Sequence, residues 1–399
     1  MIAIKSYLLD TNVLIHSPKS MLQFEENEVI ICSEVVRELD KLKKEKYNAR
    51  EVFRLLENTN LEENNIKVET PSTDGYNNDY MDIRIINKAK GYGSVLVTKD
   101  RMIRVLASEE NVQVEDYHND NVDKVYNGYR TVNVSQKFID ALYNDKVIET
   151  NDDHIENEYI NFKASNSSAL TRYNQSELQL VENQYVHGIN GKNREQIYAL
   201  DALMNKDIEL VTITGAAGTG KTIISLASAL EQTVEIGKYN KVSVARPIAI
   251  MGDNEIGFLP GDKDEKLDLF MQPIFDSIET LYKDSNPRDV VFEYKERNLF
   301  NVESIGHIRG RSMDNQFVIV DEAQNLTPHE LTTILTRIGK STKMILTGDL
   351  NQIDKPYLDK KSNGLAYVID KFKGEDNFAQ IHLKKSERSR LAEQAVNLL

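Results

Sequence analysis

The chain has 399 residues, a formal net charge of −14, 28% charged residues and 40% hydrophobic residues, so its length predicts at least two domains with separate cores. The negative charge argues against a protein that coats nucleic acid through bulk electrostatics, and confines any nucleic-acid site to a local cluster. A single cysteine, Cys32, excludes an intramolecular disulfide, and no apolar run is long enough to cross a bilayer, so we expect a cytoplasmic protein without membrane contact.

The first 118 residues alternate short β-branched runs with helical patterns. Helices are expected around residues 33 to 57 and 80 to 90. The runs that predict strands are MIAIKSYLLD, NEVIICS, NIKVET and GSVLVTKD. Strands that alternate with helices in this way imply a parallel α/β sheet.

Four carboxylates of this region fall where such a sheet would bring them together. Asp10 and Asp100 each end a predicted strand, and the carboxyl ends of parallel strands meet at one edge. Glu38 lies at the border of the apolar stripe of its helix, whereas Glu34 lies further out, and Asp82 projects near the middle of the next helix's stripe. The alternative is four unrelated caps and turns. We predict an all-oxygen metal site formed by Asp10, Glu38, Asp82 and Asp100, suited to Mg²⁺ or Mn²⁺ and to phosphodiester hydrolysis.

Residues 5 to 118 resemble the PIN-domain ribonucleases. The motifs that carry the resemblance, in order, are LLDTNVLI, SEVVRELDKLKKE, DIRIINKA and VLVTKD. The resemblance implies that the four acids are catalytic metal ligands, which Asn12 and Thr98 would orient. Asp79, at the expected start of the second helix, is interpreted as a helix N-cap.

Residues 119 to 190 form a region of different composition, rich in Asn, Asp, Ser and Tyr. Short alternating segments separated by Asn and Ser predict a small β-rich connector that follows a short helix near Phe138. Tyr159, Phe162, Tyr173 and Tyr185 could either pack in its core or stack on nucleic-acid bases.

Residues 191 to 399 predict a second α/β domain, with the P-loop NTPase (RecA-like) type of fold. The strand candidates are ELVTIT, KVSVARP, QFVIVDEAQN and KMILTGD. The first of them leads into the GxxxxGK[ST] spacing of a phosphate-binding loop, followed by a helical pattern. Its backbone N–H groups would surround the phosphates of ATP, Lys221 would reach the β and γ phosphates, and Thr222 would hold Mg²⁺. The predicted loop consists of Gly215, Ala216, Ala217, Gly218, Thr219, Gly220, Lys221 and Thr222.

Two acids follow the buried strand of QFVIVDEAQN. Asp321 would hold Mg²⁺ through water, and Glu322 would orient and activate the attacking water. The strand of KMILTGD ends at Asp349, and Gln352 shortly after it could sense the γ phosphate or could be ordinary loop polarity.

Residues 188 to 399 resemble the PhoH-type ATPases, relatives of superfamily 1 helicases. The motifs are GINGKNREQ, GAAGTGKT, VARPIAIMGDNEIGFLPGDKDEK, HIRGRSMDNQFVIVDEAQN, TGDLNQID and KKSERSRLAEQAVNLL. The resemblance implies that Gln196 reads the adenine edge and that Arg246 and Arg388 contact phosphates, with Arg309 and Arg311 near the nucleotide or the RNA path. A surface ion pair is the alternative for each arginine. The resemblance also implies assembly into a ring, such as a hexamer.

The order of the three regions resembles the fusion proteins in which a PIN domain precedes a PhoH-like ATPase. The leading hypothesis is an ATP-dependent RNA-unwinding ATPase coupled to a metal-dependent endoribonuclease. One alternative is an ATPase whose PIN-like domain only binds RNA. The other is a nucleotide-switched interaction protein of a stress or phosphate response, without an RNA substrate.

Overall fold

The computed structural model describes residues 5–24, 27–44, 46–71, 81–117, 125–247, 272–283, 286–308, 312–355 and 358–386. The chain divides into two compact units. The first comprises Met1–Asn121 with Thr327–His329 and Lys355–Ser362, and the second comprises the remainder. Four residues that the sequence singled out lie outside the described residues, namely Asp79, Arg309, Arg311 and Arg388.

The N-terminal unit contains a five-stranded sheet in the order β3-β2-β1-β4-β5, and every neighbouring pair is parallel. Its strands are β1 (Ser6–Leu9), β2 (Glu28–Ile31), β3 (Ile66–Val68), β4 (Val95–Val97) and β5 (Val114–Glu115). Its helices are α1 (Thr11–His16), α2 (Ser33–Leu42), α3 (Tyr47–Asn58), α4 (Met81–Tyr92) and α5 (Arg101–Glu109), with a 3₁₀ turn at Pro18–Leu22. The predicted parallel α/β sheet is therefore confirmed.

One core forms between this sheet and its helices. It contains Leu8 and Leu9 of β1, the apolar residues of β2, and Cys32, all fully buried. The helical region expected around residues 33 to 57 is two helices, because the apolar stripe of α2 ends at Leu42 and a charged segment follows. The short strand β5 was not predicted.

The connector forms a second five-stranded sheet in the order β6-β8-β9-β10-β7. Its strands are β6 (Tyr129–Asn133), β7 (Val147–Glu149), β8 (Tyr159–Lys163), β9 (Ser168–Asn174) and β10 (Glu177–Leu180), and α6 is Gln136–Asp145. Tyr159 and Phe162 are buried, as the core-packing interpretation expects, whereas Tyr185 is 77% exposed.

The C-terminal sheet has six parallel strands in the order β13-β12-β14-β15-β11-β16. Its strands are β11 (Leu210–Gly215), β12 (Lys241–Arg246), β13 (Phe300–Ser304), β14 (Gln316–Val320), β15 (Lys343–Gly348) and β16 (Phe378–Leu383). Its helices are α7 (Arg194–Met204), α8 (Lys221–Leu230), α9 (Gln272–Leu281), α10 (Pro287–Glu296), α11 (Ile305–Ile308), α12 (Pro328–Leu335) and α13 (Gly364–Phe372), with a π-helical turn at Glu231–Glu235 and a 3₁₀ turn at Ala323–Asn325.

Two apolar cores cover the two faces of this sheet, as a parallel sheet buried on both sides requires. One includes Ile213 of β11 with residues of α7, α8 and α9, and the other includes Val320 of β14 with residues of α12 and α13. The predicted second parallel α/β sheet is confirmed. Among the residues that the structure describes, no helix is long and apolar enough to cross a membrane.

Candidate functional site

Asp10 directly follows β1 and lies at the carboxyl edge of the N-terminal sheet. Strands β1 and β4 are parallel and in register, with Leu9 opposite Val97. The backbone N–H of Asp10 extends this ladder by donating to the Val97 carbonyl at 3.0 Å. Asp10 and Thr98 are thus neighbours at the ends of adjacent strands. The carboxylate of Asp10 also caps α1.

Three donors hold the Asp10 carboxylate. Its Oδ1 accepts from the Thr11 backbone N–H at 2.7 Å, and its Oδ2 accepts from Asn12 Nδ2 and Thr98 Oγ1, both at 2.6 Å. The Asn12 amide is itself fixed, because its Oδ1 accepts from the Lys99 backbone N–H at 3.0 Å. Asn12 and Thr98 therefore orient Asp10, which is only 2% exposed.

The electrostatic environment of Asp10 disfavours its negative charge. Burial raises its pKa to about 7; the Thr98 hydrogen bond opposes this shift, and the negative charges of Glu38 and Asp82 increase it. A bound cation would offset the repulsion between this buried carboxylate and the negative charges of Glu38 and Asp82.

Glu38, half-buried on α2, is linked to the Asp10 region by a hydrogen bond that its Oε2 accepts from Thr11 Oγ1 at 2.6 Å. Glu34 was expected to lie further from the apolar stripe than Glu38. This was wrong, because Glu34 is 6% exposed and is more buried than Glu38. The pattern of α2 alone does not show what its neighbours cover. Helix α4 packs against α2 and brings Lys88 near Glu34.

Asp82 lies on the helical face of the buried residues of α4, but it is exposed, so the expectation that it is a buried carboxylate on an apolar face was wrong. The buried residues of α4 are Ile85, Ile86 and Ala89. A crossover helix starts at the carboxyl edge of its sheet, and Asp82 lies in this first turn, ahead of the buried part of α4. Desolvation and the neighbouring charge of Asp100 raise its pKa. Asp100 caps α5 through its Oδ1, which accepts backbone N–H groups.

The four acids interact in pairs and do not form a closed cage. Within the described part of the chain, no three His, Cys, Asp or Glu side chains are placed to hold a metal ion together. The donor chemistry still fits Mg²⁺ or Mn²⁺, since all donors are carboxylate oxygens and their charges repel one another.

The phosphate-binding loop lies between β11 and α8. Gly220 has a φ of +98° and caps α8, and a Cβ at this position would approach Gln196 Nε2 to 3.0 Å. A Cβ on Gly215 would lie 2.4 Å from the Leu383 carbonyl oxygen of β16. Lys221 Nζ donates to the carbonyl oxygens of Gly215 and Ala216 at 2.6 and 3.1 Å. The loop therefore has the glycine-dependent turn and the inward-folded lysine that phosphate binding needs.

Gln196 connects this loop to the start of α7. Its Nε2 donates to the Thr219 carbonyl at 3.0 Å, and its Oε1 accepts from the Lys192 backbone N–H at 2.9 Å. The residue is 6% exposed. The structure thus places Gln196 against the phosphate loop, where its amide is bound by backbone groups.

Asp321 and Glu322 follow β14 at the same edge of the C-terminal sheet. Asp321 accepts a hydrogen bond from Thr347 Oγ1 of β15. Glu322 has left-handed backbone angles (φ 55°, ψ 36°), which are uncommon for a residue with a side chain and cluster at functional sites. Its Oε1 is 3.2 Å from Arg246 Nη2 at the end of β12. Gln352 is exposed in the loop after β15.

Sequence reasoning missed three residues that hold these acids, Thr11, Gln324 and Thr347. Thr11 lies in the motif LLDTNVLI and Gln324 in the motif QFVIVDEAQN. The signal that could have identified them is their nearness in sequence to the acids of those motifs. Thr347 lies in a buried strand, where a threonine looks like ordinary strand composition.

Comparisons with known proteins match the regions that form the N-terminal and the C-terminal parallel sheets. Residues 188–399 match the family model "PhoH-like protein", and residues 7–118 match a PIN domain model. The "Protein PhoH2" of Bacillus subtilis (strain 168) is 38% identical over 443 residues, covering 99% of this chain and 100% of that protein. The "Protein PhoH2" of Mycolicibacterium smegmatis is 33% identical, covering 100% and 97%. Among solved structures, the Pif1 helicase from Candida albicans matches 52% of this chain and 43% of its own at 16% identity with a TM-score of 0.28, too low to support an argument.

Proposed function

This chain belongs to the PhoH-like protein family and carries an N-terminal PIN domain, and we propose that it is an ATP-dependent RNA-unwinding ATPase coupled to a metal-dependent endoribonuclease. The observation that supports the ATPase function is that its proposed residues lie at one edge of the C-terminal sheet. The phosphate loop after β11, Asp321 and Glu322 after β14, and Arg246 at the end of β12 all lie at carboxyl ends of parallel strands.

In the proposed hydrolysis, the loop backbone and Lys221 bind the phosphates of ATP. Thr222 and Asp321 are the residues that would hold Mg²⁺, and Thr347 keeps the Asp321 carboxylate oriented. Glu322 orients the attacking water and accepts its proton. Arg246, Gln352 and Arg388 are proposed to contact or sense the γ phosphate, for Arg388 on the family resemblance alone.

In the proposed cleavage, Asp10 is the central ligand, and Glu38, Asp82 and Asp100 complete the acidic site. A bound divalent cation supplies water activation and neutralises charge on the phosphodiester. The chain's own contribution is orientation, because three hydrogen bonds fix Asp10 before any ligand arrives. RNA is the proposed substrate of both halves, and a homo-oligomeric ring is the proposed assembly; both rest on the family resemblance.

A second candidate has a specific observation in its favour. The absence, among the described residues, of any three acids placed to hold a metal fits an ATPase whose PIN domain binds RNA without cutting it. Titration with Mn²⁺ separates the two candidates, since only the nuclease cleaves RNA as metal is added.

The test is cleavage of a labelled, partly single-stranded RNA with Mg²⁺ or Mn²⁺, with and without ATP. We expect Asp10→Asn to stop cleavage and Lys221→Ala to abolish ATP hydrolysis and the effect of ATP on cleavage. Matched controls are Asp40→Asn and Lys340→Ala, which change exposed residues. Cleavage that persists in Asp10→Asn would exclude the nuclease assignment, and ATP hydrolysis that persists in Lys221→Ala would exclude the ATPase assignment.

A further inference from the structure

Gln324 lies two residues after Glu322, at the centre of the 3₁₀ turn, and its side chain is fully buried. Its Nε2 donates to Glu322 Oε2 at 2.6 Å and to the Gln352 carbonyl oxygen at 2.8 Å. Its Oε1 accepts from the Asp349 backbone N–H at 3.1 Å. A single amide thus joins the glutamate to both ends of the loop Asp349–Gln352.

The orientation of this amide is determined by its partners. Both N–H groups of Gln324 meet acceptors, and its oxygen meets a donor. The reversed amide would place its oxygen against a carboxylate and a carbonyl, and its N–H groups against a backbone N–H. Burial makes every one of these mismatches costly. Glutamine at this position therefore has a specific hydrogen-bonding role.

The neighbouring strand is shaped to admit the Gln324 side chain. A Cβ on Gly348 would lie 2.3 Å from Gln324 Oε1 and 2.7 Å from Leu365 Cδ2. No side chain fits at position 348 unless the amide moves. Glycine at the end of β15 therefore leaves room for the Gln324 amide, which accepts a hydrogen bond from the Asp349 backbone N–H there.

Glu322 depends on external support because its backbone is left-handed, a conformation that persists only when neighbours hold it. The described contacts of its carboxylate are Gln324 and Arg246. Arg246 is charged and is proposed to contact a phosphate of ATP, whereas Gln324 is neutral, buried and tied to backbone groups. Gln324 is thus the support that remains when Arg246 moves.

We propose that Gln324 is a positioning residue for ATP hydrolysis, which fixes the Glu322 carboxylate to the loop Asp349–Gln352 and transmits shifts of that loop to the glutamate. This inference rests on the proposed ATPase function. It assigns Gln324 to the hydrolysis step and not to nucleotide binding, since none of its described contacts is to the phosphate loop.

The neighbouring residue provides a matched control. The Asn325 side chain ties the same 3₁₀ turn to Asp354, two residues beyond the loop Asp349–Gln352, and has no described contact with the Glu322 carboxylate: its Nδ2 donates to Asp354 Oδ2 and its Oδ1 accepts from the Asp354 backbone N–H, both at 2.9 Å. Asn325 is also buried. A variant at Asn325 therefore measures the effect of loosening the chain next to this loop without changing the side-chain contact to Glu322.

The experiment compares Gln324→Met, Gln324→Glu and Asn325→Leu in the full chain, measuring kcat for ATP hydrolysis, Kd for a fluorescent ATP analogue, and Tm. We expect both Gln324 variants to lower kcat by at least about 30-fold with Kd changed by less than about 3-fold, since removal of oriented polar groups has effects of this order. Gln324→Glu keeps an acceptor for Asp349 but replaces both donors with an oxygen that repels Glu322, whereas Gln324→Met removes the donors and the acceptor without adding charge. We expect Asn325→Leu to lower Tm while kcat stays within about 3-fold of wild type.

Three results would overturn the inference. One is wild-type kcat in Gln324→Met or Gln324→Glu, the second is an equal loss of kcat in Asn325→Leu, and the third is a parallel loss of kcat and nucleotide affinity. A wild-type chain that hydrolyses no ATP would instead overturn the proposed function, and the role of Gln324 with it.

Discussion

Lys343, at the first position of β15, gives a quantitative test of how the nucleotide-binding unit is held together. Its side chain is 1% exposed, and its ammonium donates to the carbonyl oxygens of Ala202, Asn205 and Ile208 at 2.9, 2.6 and 2.6 Å. These carbonyls lie at and just after the C-terminus of α7, where helical carbonyls lack intrahelical donors and a cation is favourable. Lys343 thus caps the helix that carries Gln196.

The substitution Lys343→Met keeps an apolar stem and removes all three donors. At about 1.5 kcal/mol for each buried carbonyl left without a donor, the loss is about 4–5 kcal/mol. Burial lowers the pKa of Lys343, so removing the ammonium also removes a desolvation cost, which offsets part of this loss. We expect the free energy of unfolding to fall by less than the full sum, by about 3 kcal/mol.

Urea unfolding followed by far-ultraviolet circular dichroism measures this change. With a urea m-value of about 3 kcal/mol/M, the midpoint should fall by about 1 M. Hydrogen exchange in peptides of α7 assigns the transition to this unit, and Lys340→Met, on an exposed lysine, is the control. A midpoint within about 0.2 M of wild type would refute the reasoning, because it would show that the carbonyls lose nothing with the ammonium.

Three further predictions concern side chains that hold others in place. Burial alone would raise the pKa of Glu69, but the hydrogen bonds it accepts hold the pKa at about 2, below its ordinary 4.5, so its stabilising effect is complete above pH 4.5 and is lost as the pH falls toward 2. Because solvent screens this partly exposed cluster, we expect the free energy of unfolding of Glu69→Gln to fall by only about 1–2 kcal/mol less than that of wild type over that pH range, measured by urea titrations at each pH. Thr98→Val removes a donor to Asp10 and should lower RNA cleavage by about 10–100-fold. Thr347→Val releases Asp321 and should lower Mg²⁺-dependent ATP hydrolysis by about the same factor.

Each of these predictions has a control that differs by one interaction. Glu62→Gln alters an exposed carboxylate seven residues before Glu69, and it should leave the pH dependence unchanged. Thr98→Ser and Thr347→Ser keep the hydroxyl, so they should retain most activity. If a serine variant were as inactive as the valine variant, packing and not hydrogen bonding would explain the loss. An unchanged acid dependence in Glu69→Gln would show that Glu69 does not stabilise the fold.

Sequence reasoning succeeded where local signals were complete. The strand that ends at Gly215, the glycine turn and the helix from Lys221 each have a local cause, in apolar runs, positive φ angles and helical spacing. It was weaker where elements are short or carry polar residues. Strand β16 was not predicted, although it pairs with β11 and places His382 Nδ1 3.0 Å from Thr214 Oγ1.

The errors at the acidic site have a common cause. The periodicity of one helix cannot show what the neighbouring helix covers, so Glu34 was expected to be more exposed than Glu38 and is more buried. It also cannot show where the sheet edge lies along the helix, so Asp82 was expected on a buried stripe and is exposed.

The sequence by itself determined the family, the two parallel sheets and the motif residues that follow their strands, because strand patterns, glycine spacing and carboxylates at strand ends are local properties. Only the tertiary structure decided which groups hold those residues. Thr98 reaches Asp10, Thr347 reaches Asp321 and Gln324 reaches the loop after β15 because parallel strands in register bring together residues that are distant in the chain. Such contacts depend on register and on the packing between elements, and neither is encoded in any single segment.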